Sequence, residues 1–553
     1  MFNNFMSSLK IPDRIRERFR FSTLSFIFII AYVSLFPKFL GPENSIVAVI
    51  FTILMSASMV RDLTATPVRH LIIQSVILVW MAFAAFLVTT LPALPSVIIN
   101  FGTLAVILYA YTYEYSTHMY FPYILAYLFL IFISPVNAAQ LPGRIASMLA
   151  GAVSILLYQW VMGRNRIAET ARDVLGEMTE ITDAYICARL SGRDEKADIS
   201  DIHHKLCILS KIVYDRRKKA LCISEAGFSV VAAGRGLEHL LHMIQELPKE
   251  LSGQDRDLLG KVRKQLHVFH DYLHQDISDI PEPELNAEDP FDSLLSYIRD
   301  RMLHMTAPEN KYHYRPTIQS LKIRVQAAID LSPVRAVYAL RTAFLLSCCT
   351  LLVQTLALPH GKWLLFTLAS VSLPYADDVP AKMKKRITAT VAGGLISVLI
   401  YSLVPSAGGR TAVMMLSGYL SFYFTDYVGT FSCSTIGAIG GAVLMDSFGF
   451  QAVGSMFFIR LGYVLAGAAI AYAINCHILP FNRAKATRQL WEKYKTFTEL
   501  LTRICRSDIV DPQLYYSLVI QVHMLEEKLT QNADLEQWSD FPELLAKCHR
   551  NYF

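Results

Sequence analysis

From His70 to Tyr113 the chain reads HLIIQSVILVWMAFAAFLVTTLPALPSVIINFGTLAVILYAYTY, without one Asp, Glu, Lys or Arg. Glu114 follows, and no further formal charge occurs before Arg144. A charged side chain at the centre of a bilayer costs ~2.5–3.5 kcal/mol on insertion scales, so a gap of this length reads as helix embedded in hydrocarbon. The same scarcity recurs on both sides. Only Lys38 and Glu43 are charged from Phe21 to Val60, and only Lys362 from Thr342 to Ala376. From Ile387 to Ile459 only Arg410, Asp426 and Asp446 carry charge. By contrast, Arg164–Asp330 and Asn482–Phe553 are dense in Lys, Arg, Asp and Glu.

This alternation predicts an all-α integral membrane protein. Residues 1–163 and 335–480 are its membrane blocks; residues 164–334 and 481–553 are a cytoplasmic helical domain and a cytoplasmic helical tail. A span needs about 20 residues. Apolar segments fall at 21–36, 43–60, 70–91, 97–112, 119–133 and 145–162 in the first block. In the second they fall at 342–358, 362–374, 387–404, 411–425, 431–445 and 457–479, giving about six helices per block. Several are shorter than a span, so re-entrant helices are an open alternative.

Basic residues set the orientation. Lys10, Arg14, Arg16, Arg18 and Arg20 precede the first segment, Arg61 and Arg69 lie between the second and third, and Arg164 and Arg166 follow the sixth. Arg335 and Arg341 precede the second block, Lys382, Lys384, Lys385 and Arg386 fill its second inter-helix loop, and Arg483, Lys485 and Arg488 follow its end. An even number of spans per block puts these clusters on one side, which the positive-inside rule makes cytoplasmic, with both chain termini. No cleaved signal is read at the N-terminus. The nine cysteines contain no C-x-x-C pair and read as reduced thiols and small packing residues.

The two blocks look like copies. Arg20 and Arg341, Gly41 and Gly361, Arg69 and Arg386, and Arg144 and Arg460 keep nearly one offset, and GRIASMLAGAVSILLYQWV beside IRLGYVLAGAAIAYAINCHI repeats the closing helix. The copies are parallel repeats about an axis along the membrane normal, an arrangement that often places a transport path where repeats meet. The bland alternative is a duplicated scaffold. Small residues such as Ala146 with Ala150, Gly462 with Ala466 and the Gly437–Gly441 run suit close helix packing, either between the halves or between protomers of a homo-oligomer.

The second block also carries ALRTAFLLSCCTLL, GKWLLFTLASVSLPYADDVPAKMKKRITATVAGGLISVLIYSLVP and FIRLGYVLAGAAIAYAINCHILP. With Arg341, Trp363, Pro374, Arg386, Gly393-Gly394, Arg460, Gly467 and Pro480 as landmarks, it resembles the fusaric acid resistance protein-like family. Lys385-Arg386 stands where a Gln-Arg type of pair is more usual there, and Ala389 where Gly is frequent. The resemblance implies a bacterial inner-membrane exporter of small organic or aromatic carboxylic acids, driven by the proton gradient, with a periplasmic adaptor protein as partner in some members.

Candidate site residues follow from charge in lipid. Glu114 and Asp426 are near-lone acids flanked by aromatics, suited to proton coupling or to simple contact with water at helix ends. Arg144 and Arg460 open helices on the side away from the basic clusters, where a guanidinium could hold a carboxylate or bond backbone carbonyls. Arg69 and Arg386 belong to a basic rim that could concentrate anions or meet lipid headgroups. Tyr113 and Tyr115, with Tyr109, Tyr111 and Tyr120, could stack an aromatic ligand or form an interfacial belt. Asp446 reads as an outer-loop acid. His267, His270 and His274 share one helical face but match no metal motif. No P-loop, G-x-G-x-x-G or G-x-S-x-G occurs, so an enzyme, a cofactor, a metal and a nucleic-acid partner are not expected. An anion channel and a membrane scaffold or sensor with a cytoplasmic partner are the competing readings.

Overall fold

A computed structural model describes residues 13–59, 67–113, 118–163, 166–193, 199–215, 225–248, 250–285, 289–305, 332–445, 450–506 and 512–552, and no strand occurs among them. Each of the twelve apolar segments read from the sequence carries a helix. In the first block these are α1 (Asp13–Leu40), α2 (Ser45–Ser58), α3 (Pro67–Thr90), α4 (Ala93–Tyr111), α5 (Tyr120–Phe132) and α6 (Leu141–Gly163). Five helices, α7 (Arg166–Leu190), α8 (Ile199–Asp215), α9 (Glu225–Glu246), α10 (Gly253–Leu273) and α11 (Pro290–His304), are described before the second block. That block holds α12 (Pro333–Thr355), α13 (Lys362–Val371), α14 (Val379–Leu403), α15 (Ala407–Leu420), α16 (Tyr427–Met445) and α17 (Phe450–Ala473). The chain closes with α18 (Arg483–Cys505), α19 (Pro512–Glu536) and α20 (Phe541–Tyr552).

Among the described residues seven segments are long and apolar enough to cross a membrane: Ser22–Leu40, Pro67–Thr90, Ala93–Tyr111, Leu141–Val161, Pro333–Thr355, Ala376–Leu403 and Gln451–Ile478. The others are short. Helix α13 has 10 residues, about 15 Å at 1.5 Å per residue, half of a ~30 Å hydrocarbon core. It ends at Ser372, and Pro374 bars its continuation.

The described residues fall into two units. The first lies within Met1–Ser58, Val68–Leu157 and Ser332–Arg483, the second within Met59–Pro67, Tyr158–Leu331 and Ala484–Phe553. In the first unit α14 packs against both α16 and α17, and two adjacent glycines permit it. A Cβ on Gly393 would meet the Ser432 carbonyl oxygen at 2.4 Å, and one on Gly394 would meet the Phe457 ring at 2.1 Å. Tyr401, Ile436, Ile439, Val443, Val453 and Phe457 fill the space beyond.

The helix boundaries correct the placing of four arginines. Helix α12 begins at Pro333 and α14 at Val379, so Arg335, Arg341 and Arg386 lie inside helices rather than in the segments before them. Arg460, expected to open its helix, lies well inside α17, which begins at Phe450. Pro333 and Pro380 sit in the first turns of α12 and α14, where the missing N–H is no loss. The basic side chains that follow are carried on helical turns.

The second unit is a helical bundle. Ser252 and Asp255 form a capping box at the start of α10. Segments separated by the second block come together here. Ser210 on α8 meets His523 on α19 at 2.8 Å, and Phe228 on α9 stacks on Tyr516 at 3.9 Å. The histidine face of α10 turns toward acids of α7: His267 lies 3.2 Å from Asp183, and His270 3.2 Å from Glu180. No metal-holding group of three His, Cys, Asp or Glu side chains occurs among the described residues.

Candidate functional site

Five arginines are buried among the described residues: Arg144, Arg341, Arg386, Arg410 and Arg460. Always charged and rich in donors, each needs partners where water is absent. Three find them on backbone carbonyls. Arg144 donates through Nη1 to Ser134 O at 3.1 Å, and through Nη2 to Glu43 O at 3.0 Å and Ser134 Oγ at 2.8 Å. Arg341 donates to Leu479 O at 2.8 Å and Leu373 O at 2.7 Å, tying the break after α13 to the chain beyond α17. Arg410 donates to Val404 O, Pro405 O and Val443 O at 3.2–3.3 Å.

Arg386 and Arg460 are different. Each is 5% exposed, and neither makes the backbone-carbonyl bonds that hold the other three; the buried, unpartnered Nε of each is shared with Arg144 and Arg341 and does not set them apart. No acidic side chain among the described residues pairs with either guanidinium. What they meet is aromatic. Arg460 lies 5.1 Å from the centroid of Trp363, and Arg386 lies 4.8 Å from that of Phe431. One turn before Arg386, the Lys382 ammonium lies 3.7 Å from the centroid of Tyr427.

Two helices set this pattern in register. Lys382 and Arg386 are four residues apart on α14, and Tyr427 and Phe431 four apart on α16, so each pair occupies one helical face. Helices α14 and α16 run parallel: Lys382 meets Tyr427, Arg386 meets Phe431, and Ala389 O accepts a hydrogen bond from Ser432 Oγ at 3.2 Å. Tyr427 and Phe431 also stack on each other, centroids 4.1 Å apart. Helix α17 carries Arg460 three residues after Phe457, whose ring packs against Gly394 of α14. Trp363, at the start of α13, is held by His360, whose ring stacks on it at 4.9 Å.

The other sequence candidates lie elsewhere. Asp426 is exposed, and its Oδ2 accepts a hydrogen bond from Gly429 N at 2.7 Å, which caps the start of α16. Arg69 is exposed at the start of α3. Tyr113 is half-buried just beyond α4. Its neighbours in sequence do not form one open stacking surface: Tyr111 stacks on Tyr123 at 3.7 Å, Tyr109 carries Arg335 at 4.3 Å, and Tyr120 packs at 4.9 Å on Tyr338. Glu114, Tyr115 and Asp446 lie outside the described residues. The sequence reading passed over Tyr427 and Phe431, took Lys382 only as rim, and took Trp363 only as a landmark. The matched four-residue spacings were the available signal.

Residues 347–474, which include Trp363, Lys382, Arg386, Tyr427, Phe431 and Arg460, match the family model described as fusaric acid resistance protein-like. The similarity to that family is confined to this region. Over 146 residues, 26% of this chain and 20% of the relative, the chain is 27% identical to Inner membrane protein YccS of Escherichia coli (strain K12). It therefore spans about a fifth of the length of that curated relative. No solved structure matches the chain. The printed name of that relative, an inner membrane protein, agrees with the membrane-length helices of this chain, and the region matched by the family model coincides with the block that holds the two buried arginines without carbonyl partners.

Proposed function

We propose that the chain is a transporter that exports small organic carboxylic acids, aromatic acids among them, across a bacterial inner membrane. One observation carries this reading: the fusaric acid resistance protein-like region buries Arg386 and Arg460 against aromatic rings with no acidic partner. An unneutralised cation among membrane helices is costly and is retained where it meets an anion in use. The duplicated blocks, the basic cluster at the cytoplasmic end of α14 and cytoplasmic chain termini belong to the same proposal. So does coupling to the proton gradient, for which Glu114 is the acid put forward, since Asp426 already serves as a helix cap. A periplasmic adaptor and a homo-oligomer are compatible with this role and are not required by it.

Export of a labelled aromatic-acid panel from cells, with protein abundance matched, tests the proposal. Wild type is expected to export above the empty vector, and Arg460→Gln to fall to the vector level. Conductance that reverses at the anion's equilibrium potential would favour a channel instead. No transport at all, together with a stable cytoplasmic partner, would favour a scaffold.

A further inference from the structure

We propose that Lys382, Arg386 and Arg460, set on the rings of Tyr427, Phe431 and Trp363, form a three-step relay for an organic carboxylate, contained within the second membrane block. The inference rests on the exporter reading for the direction of movement, and adds to it a route and an order of contacts.

The three cations share one physical device. A cation over an aromatic face gains ~0.5–2 kcal/mol without using any of its N–H donors. The ring thus holds the charge in place while the donors stay available to a carboxylate. A carbonyl or an acidic side chain would consume those donors, as happens at Arg144, Arg341 and Arg410. Arg144 and Arg341 leave a buried Nε unpartnered too, so what this device leaves over at Arg386 and Arg460 is the Nη groups, which are not tied to backbone carbonyls as those of Arg144 and Arg341 are. The planar guanidinium can also offer its face to a flat acid while its edge holds the carboxylate.

The steps are ordered along the helices. Lys382 is half-buried near the start of α14, and Arg386 is buried one turn further in. The close approach of Gly394 to Phe457 fixes α14 against α17. Arg386 lies eight residues before Gly394, and Arg460 three after Phe457. For antiparallel helices at 1.5 Å per residue, this sets the two arginines about 8 Å apart along the axis. That axial spacing is comparable to the length of a small aromatic carboxylate, so the proposed steps are neighbours. Spacing several weak sites in series lets an anion enter and leave, as conduction through selective pores requires. The first block offers no such series among its described residues, since Arg144 is bound to carbonyls and Arg69 is exposed.

Calorimetric titration of the full-length protein in nanodiscs with benzoate tests the relay, with uncharged benzamide as the control ligand. Wild type should bind benzoate saturably and benzamide not at all. Arg386→Gln and Arg460→Gln should each weaken benzoate by about tenfold or more, the loss of one charge-assisted contact. Trp363→Phe should stay within about threefold, because it keeps a ring, while Trp363→Leu should follow Arg460→Gln. Equal binding of benzoate and benzamide, no binding of benzoate, or unchanged binding in both glutamine variants would overturn the relay. The control ligand requires no variant to fold. Flux in proteoliposomes separates the two proposals: binding with these sensitivities but no flux retains the relay and removes the exporter, whereas flux with insensitive binding does the reverse.

Discussion

Arg144 and Arg460 have different surroundings: the Nη groups of Arg144 donate to Ser134 and Glu43, while the guanidinium of Arg460 lies 5.1 Å from the centroid of Trp363 and donates to no backbone carbonyl. Arg144 holds chain segments together; Arg460, on the proposal above, is the one that meets a ligand.

Stability should divide the two. Replacing Arg144 by Gln strands buried carbonyls and should cost ~1–3 kcal/mol. Replacing Arg460 by Met removes a buried charge that no acid neutralises and should leave stability equal or higher. Thermal melts of both variants in one detergent check this, and a severe loss at Arg460→Met would mark it as structural.

The Asp426 carboxylate caps α16, and an amide caps nearly as well. Asp426→Asn should therefore keep both fold and export, while Asp426→Ala should cost ~1 kcal/mol. Loss of export in Asp426→Asn at normal abundance would return this residue to the proton path.

Gly393 and Gly394 should fail in different ways when replaced by Ala. At Gly394 the obstacle is the Phe457 ring, so Phe457→Ala should rescue Gly394→Ala, whose overpacking costs ~1–3 kcal/mol. At Gly393 the obstacle is the Ser432 backbone oxygen, which no substitution removes. Yields and melting temperatures of the single and double variants test the contrast.

The second unit should be most stable near the ordinary histidine range. Burial, with Arg235 nearby, pushes His523 down to about 3. Its contribution is thus lost as pH falls below ~6.5, by up to ~1.4 kcal/mol per pH unit. Burial also opposes a charge on His203, but Cys207, Glu238 and Glu526 outweigh it and hold the ring well above its usual value. That contribution is complete below ~6.5 and is lost as pH rises past it. Chemical denaturation of the whole protein across pH should show both limbs. His523→Gln should flatten the acidic limb and His203→Gln the alkaline one.

The helices could be read directly because hydrocarbon excludes charge: the stretch from His70 to Tyr113 could hardly be anything but membrane helix. The helix starts were harder. From sequence Arg386 falls before a helix because charge normally marks an edge, whereas α14 starts at Val379, with Pro380 in its first turn, and carries Arg386 inward. The site was half visible. A lone Arg in an apolar run announces itself, but whether carbonyls or rings surround it depends on contacts far apart in sequence. Arg144 with Glu43, and Arg460 with Trp363, are such contacts.

The most direct test of the central claim is efflux of a labelled aromatic carboxylate from proteoliposomes at pH 8, where the neutral, permeant acid is scarce. The account predicts saturable efflux with wild type and background efflux with Arg460→Gln, at equal incorporation and equal melting temperature. Wild-type efflux no faster than from empty liposomes, or Arg460→Gln efflux as fast as wild type, would contradict it.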